Sequence, residues 1–537
     1  MGIPSYFSYI VKNHSNIIKP LKIYNINTTH FYLDCNSIIY DVIKLIQSTN
    51  KIFDNKNIIT KITKNKIINN KNIITNIISQ ICKYIKLISP TKLVYIAFDG
   101  VAPIAKLEQQ RQRRFKSYYQ NQLMNSIHKS QDNNWDTCQI TPGTQFMNEL
   151  NDEIIKYFND PSIFNVEQII VSTSNEIGEG EHKIFDYIRN CPFHPDNVNI
   201  VYGLDADLIM LSINHLYIGN PIYLYRETPE FIKSIQDDLE PNQDYLMDIS
   251  LLSESISLNM NHYSLHNSIN RLDDYIFICF LLGNDFMPHF PSVNIRTNGI
   301  EKILSAYKNT IGNTDKTIIV EKNICWKEFF LFIKWLSLNE EEFFKEEYKL
   351  RNIKEKSFSK INDNWKKIEL LPNYDRDIEK FINPEEDGWE SRYYRTLFFK
   401  NSSEPISNIV DNYLEGLVWN LKYYSKGCID WTWKYKYHYP PLFIDLLKYG
   451  KQSIKNIHFN VNTTAVNELT QLCYVVPHSS LYLIPKHIKT QLMKYSHLYP
   501  IDCDFIWSFC KYFWESHAIL PEIDISFIEK IVKKTIL

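Results

Sequence analysis

An excess of charge is missing from this chain: 59 Lys and Arg face 61 Asp and Glu, a formal net charge of −2. Overall charge therefore does not advertise a nucleic-acid binder, although a basic patch beside an acidic site would average away. Paired cysteines are missing too. Ten cysteines are scattered without one C-x-x-C pair, which argues against a zinc ribbon or a disulfide framework and for a reducing compartment. Long apolar runs are absent; the longest, near Tyr275–Leu282, is far too short to span a bilayer. The opening MGIPSYFSYIVKNH lacks the basic start and apolar core of a signal peptide. Tyr6 stands where a myristoylation start needs Ser or Thr. The expectation is a soluble intracellular protein without a membrane partner, cytoplasmic before nuclear or virion-borne. Glycine is scarce and Ile, Asn, Lys and Tyr are abundant. That is the drift of an AT-rich genome and carries no functional content.

What is present is organised around Ile169–Leu211. Two apolar strand-like runs, Ile169–Ser172 and Asn199–Gly203, flank a helix-like run, His182–Arg189. Glu179, Glu181, Asp205 and Asp207 stand where these elements begin and end. Asp34 follows FYL, Asp99 follows VYIAF, and Asp285 follows an apolar helix closed at Gly283. Strand, acidic loop and helix alternate, which predicts an α/β fold with a mainly parallel sheet. In such a sheet, loops beyond the strand carboxyl ends share one crevice. Acids aimed into one crevice repel, so some must protonate or cations must hold them. Mg²⁺ takes oxygen ligands of this kind. Two divalent ions roughly 4 Å apart clamp a phosphodiester, and Mn²⁺ can substitute for Mg²⁺. The competing reading, ordinary loop acids, stays open at this point. His182 as a general base is weaker than a helix-terminal histidine making a local hydrogen bond.

A basic helix-like stretch follows Asp99-Gly100. Lys106, Gln110, Arg113 and Arg114 fall at i, i+4, i+7 and i+8, on one helical face. Guanidinium groups grip phosphate bidentately, lysine adds a point charge and the amide a donor. A terminal phosphate carries about one more negative charge than a diester, so such a face can prefer a chain end. A solvated basic face is the bland alternative.

In order, residues 1–26 are predicted as a helix ending near Pro20 and a connector. Lys51–Ile78 is low in complexity, read as a surface insertion followed by a helix, with a basic RNA-contacting arm as the alternative. Residues 305–365 look helical and charged, with a soft boundary near 350–365. Nine of the ten tryptophans lie after residue 300, which marks a second region of different composition.

Several blocks together resemble the XRN-type 5′→3′ exoribonucleases. They are MGIPSYF, LDCNSIIY at 33–40, FDGVAPIAKLEQQRQRRF at 98–115 and EIGEGEHKIFDYIR at 176–189. YGLDADLIML at 202–211, LLGNDFMPHFP at 281–291, GCIDWTWKYKYHYPP at 427–441 and LYLIP at 481–485 follow in the family's order. The resemblance implies a PIN-like or FEN-like nuclease core over 1–350 and a mostly helical second region over 366–537, packed against it. It implies Mg²⁺-dependent, processive hydrolysis of 5′-monophosphorylated single-stranded RNA to mononucleotides. Asp34, Asp99, Glu179, Glu181, Asp205, Asp207 and Asp285 fall on the family's metal site, and Lys106, Gln110, Arg113 and Arg114 on its 5′-phosphate pocket. For the base-stacking tryptophan, Trp431 and Trp433 are the candidates. Tyr40 stands where relatives carry a stacking histidine. A flap-endonuclease-like DNA nuclease and a catalytically inactive RNA-binding scaffold are the alternatives.

Overall fold

Seven strands form the central sheet of the computed structural model: β1 Ile18–Pro20, β2 His30–Asp34, β3 Leu93–Ala97, β4 Gln168–Ser172, β5 Asn199–Tyr202, β6 Ile222–Glu227 and β7 Asp244–Asp248. All residues are described except 1–2, 4, 24–25, 56–68, 129–134, 262–270, 359–360, 399–403 and 537. Part of the MGIPSYF block and most of the low-complexity segment before residue 69 therefore lie outside the described residues.

The strand order is β1-β7-β6-β5-β2-β3-β4. The five strands from β6 to β4 run parallel, and β7 and β1 add an antiparallel edge. Every position of β2 and β3 is buried, as expected of parallel strands covered on both faces. Their side chains alternate between two cores. Phe31, Leu33, Val94 and Ile96 join one, with the helices Asn36–Asn55, Asn70–Ile88 and Gln145–Tyr157. Tyr32, Tyr95 and Ala97 join the other, with Gly180–Asn190, Asp207–His215, Leu272–Cys279 and Ile406–Lys426.

Two expectations change in detail. The first helix is Tyr6–Asn13, and Pro20 instead ends edge strand β1, where its missing N–H costs no ladder bond. Residues 70–78 begin the helix Asn70–Ile88, whose Ile73, Ile74 and Ile77 are buried, so this part of the low-complexity segment is core. The helix Trp326–Phe358 ends inside the 350–365 span. Within that span Arg351 binds Glu379 Oε1 at 2.7 Å and the Cys510 carbonyl at 2.9 Å. Trp419, Tyr423 and Tyr424, late in the chain, share one core with the sheet, so the helical region is packed onto it.

Candidate metal and phosphate site

The chain proceeds from β2 through β3 to β4 on one side of the sheet, then from β5 to β6 on the other. The order reverses between β2 and β5, and loops diverge there to leave a crevice at the strand carboxyl ends. Asp34 is the last residue of β2, Asp99 lies two residues past β3, and Asp205 lies three past β5. Glu179 precedes and Glu181 sits in the first turn of Gly180–Asn190; Asp207 opens Asp207–His215. One cavity of about 630 Å³ is lined by Asp34, Asp99, Glu179, Glu181 and Asp205. Asp207 and Asp285 join from behind: the Asp207 N–H donates to Asp205 Oδ1 at 3.2 Å, and Lys106 Nζ bridges Asp285 Oδ2 at 2.7 Å and Glu179 Oε2.

Two close approaches draw the acids together. Asn36 Nδ2 and the Gly180 N–H donate to Asp99 at 2.5 and 2.7 Å. Gly180 leaves no room beside Asp34, since a Cβ there would lie 2.8 Å from Asp34 Oδ1. That oxygen is buried with no hydrogen-bond partner.

The electrostatics follow. Burial, then repulsion from Asp99 and Asp205, holds the Asp34 carboxyl well above the usual range. Burial likewise pushes Glu181 well up, and Asp205 and Asp207 add to it. Asp207 is raised to about 7 by burial and by Asp205 and Asp285. Lys106, despite burial, is held protonated by Asp285, Glu179 and Glu181. Lys106, with Arg226 beside Asp205 and Arg113 beside Asp285, still leaves the seven carboxylates in excess. An orphaned carboxylate oxygen within a carboxylate-rich donor set fits hard divalent cations. Ligand atoms of Glu179, Glu181 and His182 lie within 4.8 Å of one another, a cluster that could hold an ion.

His182 departs from the local-hydrogen-bond expectation. Its Nδ1 is buried without a partner, and its ring lies 3.8 Å from that of Tyr423. Burial keeps it neutral, far below the ordinary histidine range.

Lys106, Gln110, Arg113 and Arg114 all line the same cavity, from the helix Ile104–His128. Gln110 Oε1 and one terminal nitrogen of Arg114 are buried without partners. Tyr40 lines the cavity and is 38% exposed. Neither Trp431 nor Trp433 does. Trp433 is buried and stacked on Trp419 at 5.0 Å, so it has no free face for a base, and the Trp431 backbone is tied to Ile104 and Thr463. The wall holds Tyr512 and Trp514 instead, together with Arg226 and Arg296.

The XRN 5'-3' exonuclease N-terminus family model matches residues 1–228, and the Xrn1 helical domain model matches 266–382 and 372–535. The chain belongs to the XRN 5'-3' exonuclease family.

Among curated XRN relatives, 5'-3' exoribonuclease 2 homolog of Drosophila melanogaster is 27% identical over 98% of this chain and 70% of its own length. The 5'-3' exoribonuclease 1 of Saccharomyces cerevisiae is 27% identical over 90% of this chain and 40% of its own. That of Homo sapiens is 28% identical over 98% and 33%. The chain thus spans between a third and about seven tenths of these relatives.

Sequence reasoning missed Asn36, Tyr423, Tyr424, Tyr512 and Trp514. Asn36 lies inside the LDCNSIIY block, two residues after Asp34, and its amide was the available signal. The others reach the site only through tertiary packing. Among the described residues, no helix is long and apolar enough to cross a membrane.

Proposed function

We propose that this chain is a 5′→3′ exoribonuclease of RNA decay, removing mononucleotides processively from single-stranded RNA with a 5′-monophosphate, with Mg²⁺ or Mn²⁺ bound. The observation that carries the reading is one cavity holding five carboxylates beside Lys106, Gln110, Arg113 and Arg114. Asp34, Asp99, Glu179, Glu181, Asp205, Asp207 and Asp285 would hold two ions. Such ions, when bound, polarise the phosphate, supply hydroxide and stabilise the leaving oxygen.

The protein's own groups do the rest. Arg113 and Arg114 present forked donors to the terminal phosphate oxygens, and Gln110 adds an amide donor. Lys106 lies between that face and the acids and carries positive charge into both. Tyr40 and Trp514 offer aromatic faces to the leading bases, which every base accepts. A triphosphate or cap brings more charge and bulk than four side chains can pair.

The test compares RNA carrying a 5′-monophosphate, hydroxyl, triphosphate or cap. The monophosphate form is expected to be degraded to mononucleotides and the others to resist. Equal degradation of all four refutes the phosphate pocket.

A further inference from the structure

Two consecutive phenols from the far half of the chain reach the acidic cluster. Tyr423 and Tyr424 lie near the end of the helix Ile406–Lys426 and are buried to 3% and 2% exposure. The Tyr423 hydroxyl donates to Glu179 Oε1 at 2.6 Å, and the Tyr424 hydroxyl donates to Asp207 Oδ1 at 2.8 Å. Neighbouring helical residues point about 100° apart, so one helix can address acids on two separate loops. The rings have little freedom. Tyr423 stacks on Trp419 at 4.7 Å and meets Phe286 edge-on at 5.3 Å. Tyr424 lies 5.1 Å from Phe280, and its carbonyl accepts from Asn214 Nδ2 at 2.7 Å.

We infer that Tyr423 and Tyr424 are positioning residues for divalent-metal binding, fixing one oxygen each of Glu179 and Asp207. The inference rests on the metal role proposed for these acids. A phenol donates a single hydrogen bond, so each holds one carboxylate oxygen and aims the other. The second oxygen of Glu179 is the one paired with Lys106, and both residues line the cavity. Partners of this kind orient metal-binding side chains, and losing them costs roughly 10- to 100-fold in metal affinity. The helical half thereby completes a site whose ligands all belong to the first 285 residues.

The test uses the full chain as Tyr423→Phe and Tyr424→Phe, which keep the rings and remove only the hydroxyls. Mn²⁺ binding to the RNA-free protein is measured by calorimetry, beside the Mg²⁺ concentration for half-maximal cleavage. Each variant is expected to bind Mn²⁺ about 10- to 100-fold more weakly, with a matching rise in Mg²⁺ demand and an unchanged KM for RNA. Tyr393→Phe removes a buried hydroxyl that donates to the Pro440 carbonyl in a different core, and should leave Mn²⁺ affinity unchanged. Wild-type Mn²⁺ affinity in either folded variant overturns the inference. So does an equal loss in Tyr393→Phe, or collapse of the fold in both variants, which would make the phenols core elements. Should the variants lose Mn²⁺ as expected while the wild type leaves monophosphate RNA intact, only the nuclease reading fails.

Discussion

Replacing Gly180 with alanine should separate activity from stability. Gly180 opens the helix Gly180–Asn190, and its φ lies outside the left-handed region, so alanine fits its backbone. The added Cβ would stand 2.8 Å from Asp34 Oδ1 and 3.4 Å from Asp99 Oδ1. Comfortable contact begins at about 3.5 Å, so Asp34 must retreat by more than half an ångström. Alanine is favoured over glycine in a helix by up to ~1 kcal/mol, which offsets part of that strain. The melting temperature should therefore move by no more than a few degrees. Misplacement of a reacting group by about 1 Å costs on the order of 100-fold, so turnover should fall ~10- to 100-fold. Initial rates on monophosphate RNA across a Mg²⁺ titration, with thermal melts alongside, measure both. Wild-type turnover and Mg²⁺ demand in the alanine variant would refute the claim that Asp34 is held against Gly180 for metal binding.

Other outcomes follow from the same geometry. Asp205→Asn or Asp207→Asn should abolish cleavage and leave the melting temperature near wild type; near-normal turnover with Mg²⁺ in either would remove that acid from the metal site. Trp514→Ala should weaken RNA binding by about 1–3 kcal/mol, as loss of one stacked base does, with little change in stability. Trp433→Ala should instead destabilise the fold by roughly 3–5 kcal/mol, because it empties a core position beside Trp419. Equilibrium unfolding and RNA titration of the two variants distinguish them. Glu340 is buried and accepts from the Phe443 and Ile444 N–H groups, and burial pushes its pKa from 4.5 up to about 8. The folded state holds a proton that the unfolded chain releases, so this stability is present below about pH 4.5 and lost as pH rises to about 8. Glu340→Gln should flatten the decline between pH 5 and 8 by a few kcal/mol in denaturant titrations. An unchanged slope would contradict the assignment.

Much of the site was legible because it obeys a local rule. An apolar β-rich run ending in an acid can be read without a structure, and Asp34, Asp99 and Asp205 all follow it. Lys106, Gln110, Arg113 and Arg114 were legible through helical spacing alone, and the helix Ile104–His128 brings all four to the cavity. The aromatic wall was not legible. The WTWKYK run resembles a binding platform, yet tertiary packing buries Trp433 against Trp419. Trp514 sits in a short 3₁₀ turn, Phe513–Glu515, which Arg296 fastens through Glu515 at 2.5 Å. Nothing within ten residues of it signals that connection. The antiparallel edge escaped for a similar reason: β1 is three residues long, and its pairing with β7 spans more than two hundred residues.

The most direct test of the account is cleavage of one monophosphate RNA labelled at either end, with and without Mg²⁺. The 5′ label is expected to leave at once as a mononucleotide while the 3′ label stays on full-length or fully degraded RNA, and both products should vanish without divalent metal. Release from the 3′ end, internal cuts, or undiminished cleavage in chelator would contradict it.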